Sequence, residues 1–198
     1  MSNEKRSYEL KARAEQQAET RRRIVDATVE LHREVGPAQT TVAEIARRAG
    51  VQRLTVYNHF PEDGDLFAAC QASFLSQTPP ANLSPALALE DPGERVRAAL
   101  RALYPSYRER EPMTAKVLRD RAAVPALDAL LARTADAQMA GLADALAAGF
   151  AVRGRYRRRL RAALAVALDF WTWQRLKQEG LRDDEAAGLM ADFVVAAA

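Results

Sequence analysis

Cys70 is the one cysteine among 198 residues. An internal disulfide is therefore excluded, and a reducing compartment is the compatible one. Histidine is nearly as scarce, with only His32 and His59, and no His, Cys and carboxylate set has metal-ligand spacing. The nine glycines never cluster, so no phosphate-cradling loop is present, and no G-x-S-x-G elbow occurs. These absences argue against an enzyme, a resident metal and a cofactor. No apolar run approaches the ~18 residues of a membrane span, and no secretory segment is legible, so a cytoplasmic protein without membrane association is expected. β-Branched residues are sparse beside Ala and Leu, which predicts an all-α protein. Proline is missing after Pro125, leaving the last third free for long helices.

What is present is concentrated in Thr40–Phe67, TTVAEIARRAGVQRLTVYNHFPEDGDLF. Thr41 stands three residues before Glu44, a capping-box spacing that starts a helix. Val42, Ile45, Ala46 and Ala49 then recur as one apolar face. Gly50 supplies the left-handed residue that ends it, and Val51 plugs the turn. A second helix follows over about 52–60 and stops at Pro61. Val56 and Phe60 are spaced to bury against the first helix. Arg53, Thr55, Tyr57, Asn58 and His59 all have groups able to hydrogen-bond to DNA. The layout is that of a helix-turn-helix reader, with its second helix in the major groove. An upstream helix with Ile24, Ala27, Leu31 and Val35 on one face completes a three-helix head.

These residues resemble the DNA-binding domain of the TetR family of transcriptional regulators. The resemblance rests on AEIARRAGV, on T-V-Y-N-H-F-P and on the D-L-F that opens the next helix, and it covers residues 20 to 75. Beyond them it is one of organisation and of weaker pieces such as DFWTWQRLKQEGLRDDEAAGLM. It implies that Tyr57 and His59 contact phosphate or sugar, that Arg53, Leu54, Thr55 and Asn58 face base edges, and that Thr41 presents its hydroxyl and backbone amides to a phosphate. Two positions depart from the family pattern. Gln52 stands where many relatives have Ser or Thr, which weakens the cap of the recognition helix. Asp63 stands where many have a phosphate-binding Lys; it repels phosphate or caps the next helix.

Charge is unevenly placed. Residues 1–60 carry a net +3, residues 61–152 a net −3 and residues 153–198 a net +3. A basic head suits a DNA end. Lys5, Arg6, Lys11, Arg13 and the run Arg21, Arg22, Arg23 lie on or near a gly- and pro-free segment that continues into the first helix of the head. Arms of this kind reach along the backbone or into the minor groove; the alternative is a solvated, frayed helix with Glu9, Glu15 and Glu19 offsetting the charge. Arg21 to Arg23 are the better candidates for DNA contact. A second basic run, Arg153 to Arg161, reads as a loop and a solvated first turn.

The division that follows is a basic helical extension at 1–19, a helix-turn-helix domain at 20–67 and a ligand-binding and dimerisation domain at 68–198. A connecting helix spans about 65–77, and Pro79, Pro80, Pro85 and Pro92 mark a loop. Pro105 predicts a kink or early stop in the next helix, with a short helix near 113–121. Long helices are expected over about 126–149, 156–179 and 183–197. A pocket for a small-molecule effector is expected from Tyr104, Tyr107, Met113, Met139, Phe150, Phe170, Trp171 and Trp173, with Asp169 as a polar anchor. The competing reading is that these are ordinary core residues and that Asp169 is simply exposed. The last two helices, slimmed by alanines and carrying Leu164, Leu168, Ala187, Met190 and Val194, are the expected homodimer surface. The expected function is a ligand-released homodimeric repressor on a palindromic double-stranded DNA operator. The other class is a helical protein-interaction module of the same fold that has lost specific DNA binding.

Overall fold

Helix boundaries fall where the chain has its breakers and caps. The computed structural model describes residues 2–198, with side chains from Ser7 onward; Lys5 and Arg6 of the basic extension lie outside the described side chains. The elements are α1 (Ser2–Glu34), α2 (Val42–Ala49), α3 (Arg53–His59), α4 (Asp63–Gln77), α5 (Ser84–Leu87), α6 (Pro92–Asp120), α7 (Pro125–Leu131), α8 (Ala137–Ala147), α9 (Gly154–Leu168), α10 (Phe170–Gln178) and α11 (Asp183–Ala197). No strand occurs among the described residues. None of their helices is long and apolar enough to cross a membrane.

Packing divides the chain into two compact units. One comprises Met1–Pro79 with Pro112–Leu130, the other Pro80–Glu111 with Leu131–Ala198. This differs from a single boundary after residue 67: α4 and the end of α6 pack with the head. In the first unit Ile24, Ala27 and Leu31 of α1 meet Ile45, Ala46 and Ala49 of α2, Val56 and Phe60 around α3, Leu66 and Cys70 of α4, and Met113 of α6. Each large aliphatic or aromatic side chain buried here contributes about 1.5–3 kcal/mol. Thr28 is fully buried among them, its hydroxyl donating to the Ile24 carbonyl at 2.7 Å. Burial pushes the Cys70 thiol up to about 12, so it behaves as a small apolar side chain.

In the second unit Val96, Leu100 and Tyr104 of α6 are buried, as are Leu146 of α8, Leu160, Leu164 and Ala167 of α9, Trp173 of α10 and Ala187 and Val194 of α11. The helix expected over 156–179 is two helices. The Tyr104 hydroxyl donates to the Ala167 carbonyl at 2.8 Å and the Tyr107 hydroxyl to the Leu168 carbonyl at 2.6 Å, which satisfies backbone acceptors at the end of α9. Asp169 then caps α10, its carboxylate accepting from the Thr172 amide at 2.8 Å. The stop expected at Pro105 does not occur, and α6 runs unbroken for 29 residues through Pro105 and Pro112. Both prolines lie on exposed positions, where water can take the carbonyls they leave unbonded, while buried residues on the other side hold the helix together. The helix expected over 126–149 is α7 and α8 joined by a wider turn at Ala132–Asp136.

Candidate nucleic-acid interface

The turn between α2 and α3 is built by backbone chemistry. Thr41 is extended, and its hydroxyl accepts from the Glu44 amide at 3.2 Å. The Glu44 carboxylate turns to Arg47 instead of back to the cap, so only one half of the capping box forms. Gly50 has φ 67, the left-handed conformation that a Cβ penalises. The Val51 amide then reaches the Ala46 carbonyl at 2.9 Å and closes the helix end. Arg48 of α2 pairs with Glu34 of α1 at 2.6 Å, and the guanidinium holds that carboxyl below its ordinary range. The Arg47 side chain does the same to Glu44.

The seven residues of α3 are sorted by burial. Val56 and, just past the helix end, Phe60 are buried. Arg53, Leu54, Tyr57 and Asn58 are exposed, and Thr55 and His59 are half-buried. Leu54 and Tyr57 leave 66% and 52% of their surface in water, on the same outward side as Arg53 and Asn58. Gln52 precedes α3 without a side-chain cap, as its residue type implied. Asp63 opens α4 as its first residue, with Asp65 beside it, where a carboxylate favours the helix dipole.

The three arginines near the head fall in different places. Arg21 lies with its guanidinium 4.5 Å from the centre of the Phe60 ring. It also lines a groove of about 530 Å³ with Thr55, Asn58 and His59 of the α3 region and Ala14, Gln17 and Ala18 of α1. Arg22 is held by Glu19 through two bonds of 3.0 and 2.8 Å. Arg23 is exposed and approaches the Gly50 turn. Gln17 was not singled out in the sequence, although its helical spacing from Arg21 carries the signal.

The other expected sites are less convergent. Tyr104, Tyr107, Phe170 and Trp173 pack ring to ring, with centroids 5.5–6.2 Å apart. Met139 touches this cluster through its sulfur, 3.7 Å from the Tyr107 hydroxyl. Burial pushes both tyrosine hydroxyls above their ordinary range. Met113 is not part of it and belongs to the core of the head. Trp171 is 42% exposed, Phe150 is half-buried, and the exposed Asp169 is spent on the α10 cap. A concave surface in this unit is an open groove of about 590 Å³ lined by Arg101, Pro105, Arg108, Arg182, Asp183 and Asp184, where Arg108 and Asp183 pair at 2.8 Å. Leu164, Leu168, Ala187, Met190 and Val194 are all buried within the chain. Leu164, Ala187 and Val194 have no free surface in one copy, and Leu168 and Met190 keep only 3% and 7%, so these side chains add little area to a contact with a second. Large apolar side chains that do reach water are Tyr156 and Val166 on α9 and Leu189, Phe193 and Val195 on α11.

A short left-handed turn between two helices, with a polar and cationic second helix turned outward, defines a helix-turn-helix head. Residues 24–70 match the family described as bacterial regulatory proteins, tetR family. Over 71 residues it is 38% identical to the HTH-type transcriptional regulator BetI of Klebsiella pneumoniae, 36% of either chain. Over 50 residues it is 42% identical to the HTH-type transcriptional regulator AcrR of Shigella flexneri, 25% of this chain and 23% of that one. The matched segment thus spans about a third or less of these curated relatives. The fold extends further. A TetR-like transcriptional regulator from Rhodococcus sp. RHA1 superimposes with a TM-score of 0.61 at 18% identity, covering 89% of this chain and 93% of that one. A tetR-family regulator from Streptomyces coelicolor gives 0.58 at 16% identity, covering 89% and 81%.

Proposed function

We propose that the protein is a sequence-specific DNA-binding transcriptional regulator, a homodimeric repressor released by a small-molecule effector. The observation that carries this reading is the outward face of α3, where Arg53, Leu54, Tyr57 and Asn58 are exposed above the buried Val56 and Phe60. Arginine suits guanine edges, asparagine suits adenine, and an exposed leucine suits a thymine methyl group. Thr41, Tyr57 and His59 position the helix against phosphates.

Two recognition helices are needed to read a palindrome. The dimer reading is supported by the outer faces of α9 and α11, where Val166, Leu189 and Phe193 stand among the exposed small residues Ala162, Ala165 and Ala196. A two-fold pairing of these faces would bury side chains that one copy leaves in water. The effector reading is supported by the aromatic cluster around Tyr107 and Trp173, which a flat ligand would have to part. The connecting helix α4 then carries the change to the head, and the ligand must favour the released state by about 5.5 kcal/mol to empty the operator.

Selection of bound fragments from a random duplex library tests the reading. Enrichment of a palindrome with half-sites about one helical turn apart is the expected result. A library recovered without any enriched sequence would leave the protein-interaction module as the better reading.

A further inference from the structure

We propose that the N-terminal part of α1 is a second wall of the DNA site, so that one phosphate strand runs in the groove between α1 and α3. This rests on the DNA-binding reading above and adds a site to it. The groove of about 530 Å³ has Thr55, Asn58 and His59 on one side and Ala14, Gln17, Ala18 and Arg21 on the other.

The α1 wall has the chemistry of a phosphate track. At roughly 100° per residue, Leu10, Lys11, Ala14, Gln17, Ala18 and Arg21 share one face. The acids Glu9, Glu15 and Glu19 all fall on the other faces of the same helix, and Glu19 is taken up there by Arg22. A charge-mixed helix thus turns an acid-free face to the recognition helix. Ala14 and Ala18 keep the middle of that wall slim, which leaves room for a sugar-phosphate chain. Gln17 and Arg21 supply donors beside it, and Lys11 extends the cationic line by one turn. Leu10, 61% exposed on this face, offers an apolar contact to deoxyribose.

The exposure of α1 supports the same conclusion. Every side chain from Ser7 to Glu19 is exposed, a helical stretch of about 20 Å that buries nothing. It continues from the packed part of α1 and needs no nucleus of its own, but no tertiary contact holds its outer turns against fraying. A phosphate strand lying along it supplies the missing partner and neutralises the cations that face the groove.

The test uses the full-length protein, a selected duplex fragment and a scrambled one. Gln17→Glu places an acid in the groove, and Gln16→Glu places the same acid on the opposite face of the same helix. Gln17→Glu is expected to weaken binding to both fragments by about tenfold or more, while Gln16→Glu changes it by less than about threefold. Lys11→Gln, which removes a charge without adding one, is expected to lower the log–log salt slope by roughly one unit per copy. Circular dichroism is expected to show the same helix content in all three variants. Equal losses in the two glutamate variants, or no loss in either and an unchanged slope in Lys11→Gln, would overturn the second wall and leave the α3 reading standing. Wild-type protein that binds neither fragment at low salt would overturn both.

Discussion

The Asp120 carboxylate, at the last residue of α6, accepts a hydrogen bond from the Ala38 amide at 3.1 Å. This joins α6 to the turn between α1 and the helix-turn-helix. Two neighbours on α6 reach the same region: Lys116 donates to the Arg33 carbonyl at 2.7 Å and Arg119 to the Val35 carbonyl at 3.1 Å. Together they satisfy backbone acceptors that the end of α1 leaves free. Asp120 is buried, and its bond to the Arg119 side chain holds its carboxyl below the usual range.

Removing that carboxylate is therefore expected to loosen the head. Asp120→Ala strands the Ala38 amide and should cost about 2–3 kcal/mol. Asp120→Asn keeps an acceptor and should cost less. Urea denaturation of the two variants checks this, and equal midpoints for both would contradict it.

His32 gives the head a pH dependence with a definite sign. It is 4% exposed and stacks on Phe67 with ring centroids 5.5 Å apart. Burial lowers its pKa from 6.5 to about 4, against the opposing pull of Asp120. Between those values the unfolded chain takes up a proton on His32 that the folded chain refuses. Stability is thus full above pH 6.5 and falls as the pH drops toward 4, by about 2 kcal/mol at pH 5. Denaturation of wild type and His32→Leu at pH 7 and pH 5 isolates the effect: the wild type is expected to lose about 2 kcal/mol more than the variant.

The outer face of α9 and α11 carries the dimer prediction. Leu189→Glu with Phe193→Glu is expected to shift sedimentation from dimer toward monomer while leaving the helix content intact. Each substitution removes apolar area worth about 1–2 kcal/mol. Leu164→Ala, by contrast, should lower the melting temperature before it changes the association constant, because Leu164 is fully buried in one copy.

Arg53→Ala is expected to weaken binding to the selected fragment by about 1–3 kcal/mol and to relax the choice of one base. Equal losses on selected and scrambled DNA would make Arg53 a phosphate contact instead.

The parts of this molecule that the sequence discloses are those fixed by neighbouring residues. Thr41, Gly50 and Pro61 set the ends of α2 and α3 through local backbone chemistry, and Val56 and Phe60 set the buried side of α3 by spacing. The parts it conceals depend on residues far apart in the chain. Pro105 and Pro112 look like helix breakers until buried residues on the other side of α6 hold the helix through them. The break at Asp169 depends on Tyr104 and Tyr107 taking the last carbonyls of α9, 63 and 61 residues further along the chain. For α9 and α11, spacing alone does not say which of two apolar faces the chain itself covers, and so Leu164 and Val194 read as readily as Leu189 and Phe193 for a dimer contact. Met113 sits among the core residues of the head, a placement that only the course of α6 reveals.

The most direct test of the central claim is a salt titration of affinity for the selected palindrome and for its scrambled counterpart. A DNA-reading dimer is expected to bind the palindrome at least ~10³-fold more tightly at physiological salt, with a log–log slope of several units on both. Equal and weak affinities for the two duplexes, with a slope near zero, would contradict it.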